Sequence, residues 1–520
     1  MNETSVAIVL AYHARSKHAL DRYAAGPGTL DWDAQPEAFR EWAGTQQLAL
    51  PREVVVPDIS WNALAATRAA LPLNAANLGS LLRLSVGLTA WKEYAGSRWS
   101  LRAHPSSGNL HPTETWLIAF GVDGLDDGLY HYQNRLHALE RRAWETEIGS
   151  TGVWLGFSSI HWREAWKYGE RAFRYCQLDL GHVLAALSYA AALHGWRPRL
   201  MDMNSTDVAS SLGLDRAEDY AGVEGEEPEV IVALEANAVS TMNLNWKWKH
   251  WAGKPNLLDP HPLYQWPVIG EVAAATHGAP PHAAVVSAHS ATLQAEDVTL
   301  SASDIILRRR SAQAFDGLSI MPHAVFKRML ASLLPGGSPV WDLWPHAPRV
   351  HPVLLVHRVE GIAPGLYALP RSDVAGDALR HAMRDTFAWQ AVDPPLTDTR
   401  LPLFQLVAAR AGKTSRKLSC HQDIAAQCAV TFMMVAEFAA PVAADLVAYR
   451  HLHWEAGMLG HVVTLEAEAA GWRGTGIGCF FDDADHEVLG LQDDQFQVIY
   501  HYAVGMAVDD PRLSTLPAYE

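Results

Sequence analysis

Cysteine is scarce. The 520 residues contain four, Cys176, Cys420, Cys428 and Cys479. None belongs to a C-x-x-C pair, so neither a zinc ribbon nor a disulfide framework is suggested, and four unpaired thiols fit a reducing cytoplasm. Positive charge is also short: 41 Lys+Arg against 57 Asp+Glu, a net charge of −16. That excludes a general nucleic-acid or anionic-membrane surface, and any anionic ligand must be held by a local basic cluster. The apolar run near the start, "MNETSVAIVLAYHARSKH", follows Glu3 and lacks a basic flank, so it is a poor signal peptide. The longest uncharged apolar helix candidate, from Leu180 to Gly195, is too short to span a bilayer and contains His182. A soluble cytoplasmic chain is expected. No G-x-G-x-x-G follows a strand, since "GTGIGC" stops short, which argues against a Rossmann domain. The histidines of "HLHWE" (His451, His453) stand two apart and point to different helix faces, so no metal site is assigned.

What remains is ordinary globular material, 49% hydrophobic and 19% charged, enough for two to four domains. Within it lies a repeat. "RYCQLDLGHVLAALSYAAALHGWR" from Arg174 matches "RHLHWEAGMLGHVVTLEAEAAGWR" from Arg450. The register pairs Arg174 with Arg450, Asp179 with Glu455 and Gly181 with Gly457. Both stretches predict long apolar helices closed by a glycine. Upstream, "WLIAFGVDGLDDGLYHY" echoes "VLLVHRVEGIAPGLYAL", each a strand, a turn, Gly-Leu-Tyr and a second strand. Two echoes in one order indicate a duplicated unit far longer than a solenoid repeat. The expected organisation is an N-terminal extension (1–60), a first unit (61–250), a Pro/His-rich connector (251–300) and a second unit (301–520). Irregular alternation of helices and strands favours α+β, and duplicated units pack as an intrachain pseudo-dimer.

The copies are unequal. "PSSGN" (Pro105, Ser106, Ser107, Gly108, Asn109) occurs in the first alone, the second having "LWPHAPRVHPVLLV" there. The second opens on "RRRS" (Arg308, Arg309, Arg310, Ser311), where the first offers "LLRLSVGL". The second also carries "GTGIG" (Gly474 to Gly478, with Gly476 and Ile477), and Arg512 follows near the C-terminus. One composite site explains these complementary losses: arginines would hold a phosphate through charge-assisted hydrogen bonds, and the Ser/Gly/Asn loop would face a planar ring.

In this order the motifs resemble the nitroreductase superfamily of flavin enzymes, particularly its SagB/ThcOx-type dehydrogenase branch. "PSSGNLHP" resembles the loop that faces the isoalloxazine, "RRRSAQAF" the phosphate-binding start, "GTGIG" the second flavin-contacting turn and "DPRLSTLP" the tail that supplies a phosphate arginine. "KYGERAFRY" resembles the Lys-Tyr motif of azoline-oxidising members. The resemblance implies FMN. It would be bound by Pro105, Ser106, Ser107, Gly108 and Asn109 of one copy and by Arg309, Arg310, Ser311, Gly476, Ile477, Gly478 and Arg512 of the other. Lys167 and Tyr168 are the implied catalytic acid/base groups. It also implies an oxidoreductase acting on a small-molecule or peptide-derived substrate, with NAD(P)H or oxygen as redox partner, as a monomer with an internal pseudo-dimer or as a homodimer. Within that class stand a dehydrogenase of C–N or C–C bonds and an NAD(P)H-dependent nitro or quinone reductase. A non-catalytic flavin-binding protein is the other class.

Overall fold

The computed structural model describes residues 3–146, 151–236, 246–279, 298, 300–392 and 401–519. Most of the C-terminal half of the expected connector lies outside them.

The first unit is built on strands β1 (Thr113–Phe120), β2 (Gly128–Gln133), β3 (Ala138–Thr146) and β4 (Gly152–Ser159). Helix α1 (Ala172–His194) and strands β5 (Arg197–Leu200) and β6 (Glu227–Glu235) follow. The second unit includes a short helix, α2 (Val340–Leu343), followed by β7 (Val350–Val356), β8 (Gly365–Ala368), β9 (Phe404–Ala408) and β10 (Val430–Glu437). Helix α3 (Ala448–Ala469), β11 (Arg473–Ile477) and β12 (Phe496–Gly505) close it.

Each unit forms an antiparallel sheet, and the strand orders match one for one. The first runs β3-β2-β1-β4-β6-β5 and the second β9-β8-β7-β10-β12-β11. The first is widened beyond β3 by the tryptophan-rich stretch Trp248–Trp251, which joins a sheet edge. The two Gly-Leu-Tyr echoes fold alike. Tyr130 donates its hydroxyl to the Asp126 carbonyl and Tyr367 to that of Ala363, both at 2.6 Å.

The units meet through α1 and α3. Both helices are buried on nearly every face, which their all-round apolar composition requires. The paired glycines of the repeat sit at the crossing. A Cβ at Gly181 would fall on the Trp454 carbonyl oxygen and 2.9 Å from the Gly457 Cα, and one at Gly457 would fall on the Leu178 carbonyl oxygen. The paired arginines cross in opposite directions: Arg174 to Asp482 of the second unit, Arg450 to Glu229 of the first, both at 2.8 Å. Taken from His161 to His194, the first helical run is apolar enough by length and composition to cross a membrane, which the shorter count from Leu180 missed; it lies buried in the core. A third sheet ties the ends together, with Ser514–Leu516 pairing with Leu88–Tyr94, itself paired with Ser97–Arg102.

Candidate cofactor site

Between the units lies a cavity of about 1060 Å³, walled by residues from His18 to Thr515. Pro105 to Asn109 come from the first unit. Arg308 to Ser311 and the turn Gly476-Ile477-Gly478 come from the second. The three unequal motifs therefore border one space.

The Ser-rich loop is held from below. Asp179, inside α1, accepts from the Ser106 hydroxyl at 2.6 Å, the Ser107 amide at 2.9 Å and the Ser107 hydroxyl at 2.8 Å. Burial pushes its carboxyl up to about 6, against the lowering pull of these bonds. The two serine hydroxyls are thus occupied by Asp179, which differs from their expected place on a ring edge. Asn109 donates to the Ser100 carbonyl at 2.9 Å. Gly108, Asn109 and His111 are all left-handed, with φ of 58°, 61° and 52°, a conformation that persists in non-glycine residues only where the surroundings impose it.

The arginines stand at the C-terminal end of helix Ala302–Arg308, where cations complement the carbonyl ends, not at a helix start. Arg309 is buried and donates to the carbonyls of Arg102 (2.9 Å) and Ala103 (2.8 Å) of the first unit. Desolvation lowers it to about 10. Its role is to clamp the approach to the Ser-rich loop. Arg310 borders the cavity and donates to the Leu307 carbonyl at 3.0 Å. Arg308 and Arg473 border the same cavity, paired with Glu468 and Asp509. Arg512 is the outlier: its side chain is 67% exposed, is paired with Asp510 at 2.6 Å and lies outside the cavity wall.

Lys167 and Tyr168 end the helix His161–Tyr168 directly against the loop. A Cβ on Gly108 would lie 2.5 Å from the Tyr168 hydroxyl and 3.0 Å from Lys167 Nζ, so only glycine fits there. Tyr168 lines the cavity. Burial lowers Lys167 and raises Tyr168 well above the ordinary phenol range. One turn earlier, Glu164 is buried without a hydrogen-bond partner, and desolvation raises its carboxyl well above the usual range.

Several wall residues escaped sequence reasoning. Asp179 had a signal: an acid inside an apolar helix, repeated as Glu455. His104 and His182 had none. Both are buried, and burial lowers each to about 3, so both are neutral. His104 Nε2 and His182 Nδ1 have no protein partner, although both rings line the cavity. The cysteines require a correction. Cys420 and Cys479 are joined in a disulfide across 59 residues, with Cα atoms 5.8 Å apart; Cys176 and Cys428 are free. The fold brings together two segments that no short spacing connects. Among the described residues no cluster of His, Cys, Asp or Glu could hold a metal ion.

The corresponding place on the other side of the pseudo-dimer is filled. There α2 packs against β5, the counterpart of β11. Glu455, the counterpart of Asp179, accepts from the Arg349 amide at 3.1 Å and pairs with Arg371, whose guanidinium lies 4.3 Å above the Trp341 ring.

The sequence model of the Nitroreductase family matches residues 306–506. The trifolitoxin-processing proteins TfxB and TfxF of Rhizobium leguminosarum bv. trifolii are 32% identical over 124 residues and 30% identical over 118. These matches take in 20% and 22% of this chain and 32% and 43% of the relatives, so the chain spans less than half the length of either. A crystal structure of a putative nitroreductase from Anabaena variabilis shares the fold over 96% of this chain and 99% of its own, with a TM-score of 0.70 and 22% identity. The second unit thus matches the Nitroreductase family, and the chain as a whole shares the fold of a putative nitroreductase.

Proposed function

We propose that the chain is an FMN-dependent oxidoreductase of the SagB/ThcOx dehydrogenase type, with one flavin seated between its units and a peptide-derived substrate oxidised at a C–N or C–C bond. The observation that carries this is the convergence of "PSSGN", "RRRS" and "GTGIG" on one cavity, with its counterpart filled. The residues suit FMN. A phosphate matches a local arginine cluster in a chain of net charge −16, and a flat polar ring matches the Ser-rich loop and the turn Gly476-Ile477-Gly478 in the same wall. Bound FMN supplies two-electron chemistry, while the protein supplies binding, orientation and electrostatics.

In this reading Arg310 and Ser311 hold the phosphate. The backbone of Pro105–Asn109 and of Gly476–Gly478 orients the ring, with Arg309 and Asp179 fixing the first of these segments from behind. Lys167 is the base. Its burial shifts it toward the neutral amine, the form that accepts a proton. Tyr168, held protonated, donates a hydrogen bond beside it. The names of the trifolitoxin-processing relatives favour a peptide-derived substrate over a free nitro compound.

Anaerobic mixing with an azoline-bearing peptide should bleach the flavin. Lys167→Ala and Tyr168→Phe should keep FMN bound yet lose about 10²–10⁴-fold in bleaching rate, the usual contribution of a general base. Full bleaching rates in both variants, or bleaching by NADPH alone, would instead favour the reductase.

A further inference from the structure

The cavity wall carries a redox-capable group that this reaction does not use. Cys420 and Cys479 are disulfide-bonded, and both border the cavity, Cys479 next to the turn Gly476-Ile477-Gly478. The remaining cysteines are of another kind. Cys176 and Cys428 are buried in the core, and burial raises both thiols, Cys428 to about 12. Buried thiols of that sort are inert.

The segments bearing the pair are held together independently of the sulfurs. On one side the Phe481 amide donates to the Leu418 carbonyl at 2.8 Å. On the other Gln422, also in the cavity wall, donates Nε2 to the Cys479 carbonyl at 3.2 Å. Cys420 and His421 are both left-handed, with φ of 51° and 61°, a backbone state that clusters at functional sites. A cross-link whose purpose was to join distant segments would be redundant here. Two thiols kept adjacent after the bond opens are what a reversible couple needs.

We propose that Cys420 and Cys479 are a redox-active pair that exchanges two electrons with the flavin of the cavity, giving the chain a second store for reducing equivalents. The proposal rests on the flavin reading of the site. In the exchange the S–S bond breaks and two S–H bonds form. Two electrons and one proton come from the reduced flavin, which returns to its oxidised state, and solvent supplies the second proton. The reverse step re-forms the disulfide.

The FMN-loaded protein, freed of unbound flavin, is illuminated under nitrogen with EDTA as electron donor, then denatured, alkylated and analysed by mass spectrometry. Apoprotein is illuminated beside it. The expected result is alkylation of Cys420 and Cys479 in the loaded protein alone. Complete bleaching should also require about twice the electron equivalents that a Cys420→Ser/Cys479→Ser variant requires. A bleached flavin beside an intact Cys420–Cys479 peptide pair overturns the proposal and leaves the flavin reading standing. A protein that takes up no FMN removes both, and equal alkylation in apoprotein shows that the electrons bypass the flavin.

Discussion

Replacing Asp179 by asparagine should remove a pH-dependent loss of stability and make the cofactor site worse. Burial lifts this carboxyl from 3.8 to about 6, a shift that corresponds to roughly 3 kcal/mol. Because the folded value is raised, the folded state binds the proton more readily than the unfolded chain between about pH 4 and 6. Stability from this group is therefore present at low pH and is lost as pH rises through that window. The replacement amide does not titrate, so the stability of variant minus wild type should grow by roughly 2 kcal/mol, most of the full shift, between pH 4.5 and 7.5. The loop responds in the opposite direction. Two carboxylate oxygens now accept from the Ser106 hydroxyl and from the amide and hydroxyl of Ser107, and an amide has a single accepting oxygen. Losing one charge-assisted bond costs about 1.5–3 kcal/mol, or about 10- to 100-fold in FMN affinity if the ordered loop is what FMN binds. Thermal unfolding of apoprotein at both pH values, with FMN fluorescence quenching at pH 7.5, measures both effects. A stability difference that ignores pH, or an unchanged FMN affinity, would refute the latch assigned to Asp179.

Gly181→Ala should lower the melting temperature by a few degrees, since overpacking costs about 1–3 kcal/mol; it should also weaken FMN binding, because Asp179 and His182 ride on the same helix. Arg310→Ala should weaken FMN binding by about 1.5–3 kcal/mol and Asn109→Ala, one neutral bond in the other unit, by about 0.5–1.5 kcal/mol; a separately expressed half that bound FMN as tightly as the whole chain would contradict the composite site. Arg371→Ala breaks a buried ion pair on the filled side and should cost about 3–5 kcal/mol in urea unfolding, with the FMN affinity of the folded fraction nearly unchanged. Flavin released by acid and measured against protein mass should give about one FMN per chain, as the filled counterpart requires.

The sequence revealed most where chemistry is written in short runs. "PSSGN", "RRRS" and "GTGIG" are contiguous, and their uneven distribution pointed to one shared space. The Gly181–Gly457 register was legible because the two helices repeat in sequence, while their close approach at these glycines is a product of the fold. What escaped notice depends on side-chain direction or on long separation. The Ser106 and Ser107 hydroxyls looked free until Asp179 rose beneath them from another element. Arg512 looked like a phosphate ligand, but Asp510, two residues away, captures its guanidinium. The Cys420–Cys479 bond spans 59 residues and has no spacing signature. Nothing in "VWDL" marked α2 as the element that fills the second site.

The C-terminal pairing has a consequence for how the protein is made. The cavity wall includes Leu513 and Thr515, and the strand Ser514–Leu516 pairs with Leu88–Tyr94 near the other end of the chain. A chain emerging from the ribosome folds its N-terminal portion first, yet its arginines and its last wall strand are still unmade or inside the exit tunnel. Ligand binding therefore cannot guide folding of the first unit during synthesis. It can act only once residues 513–515 have emerged, and a chain cut short before them would be left with an open-walled site and none of the stabilisation that a bound ligand confers.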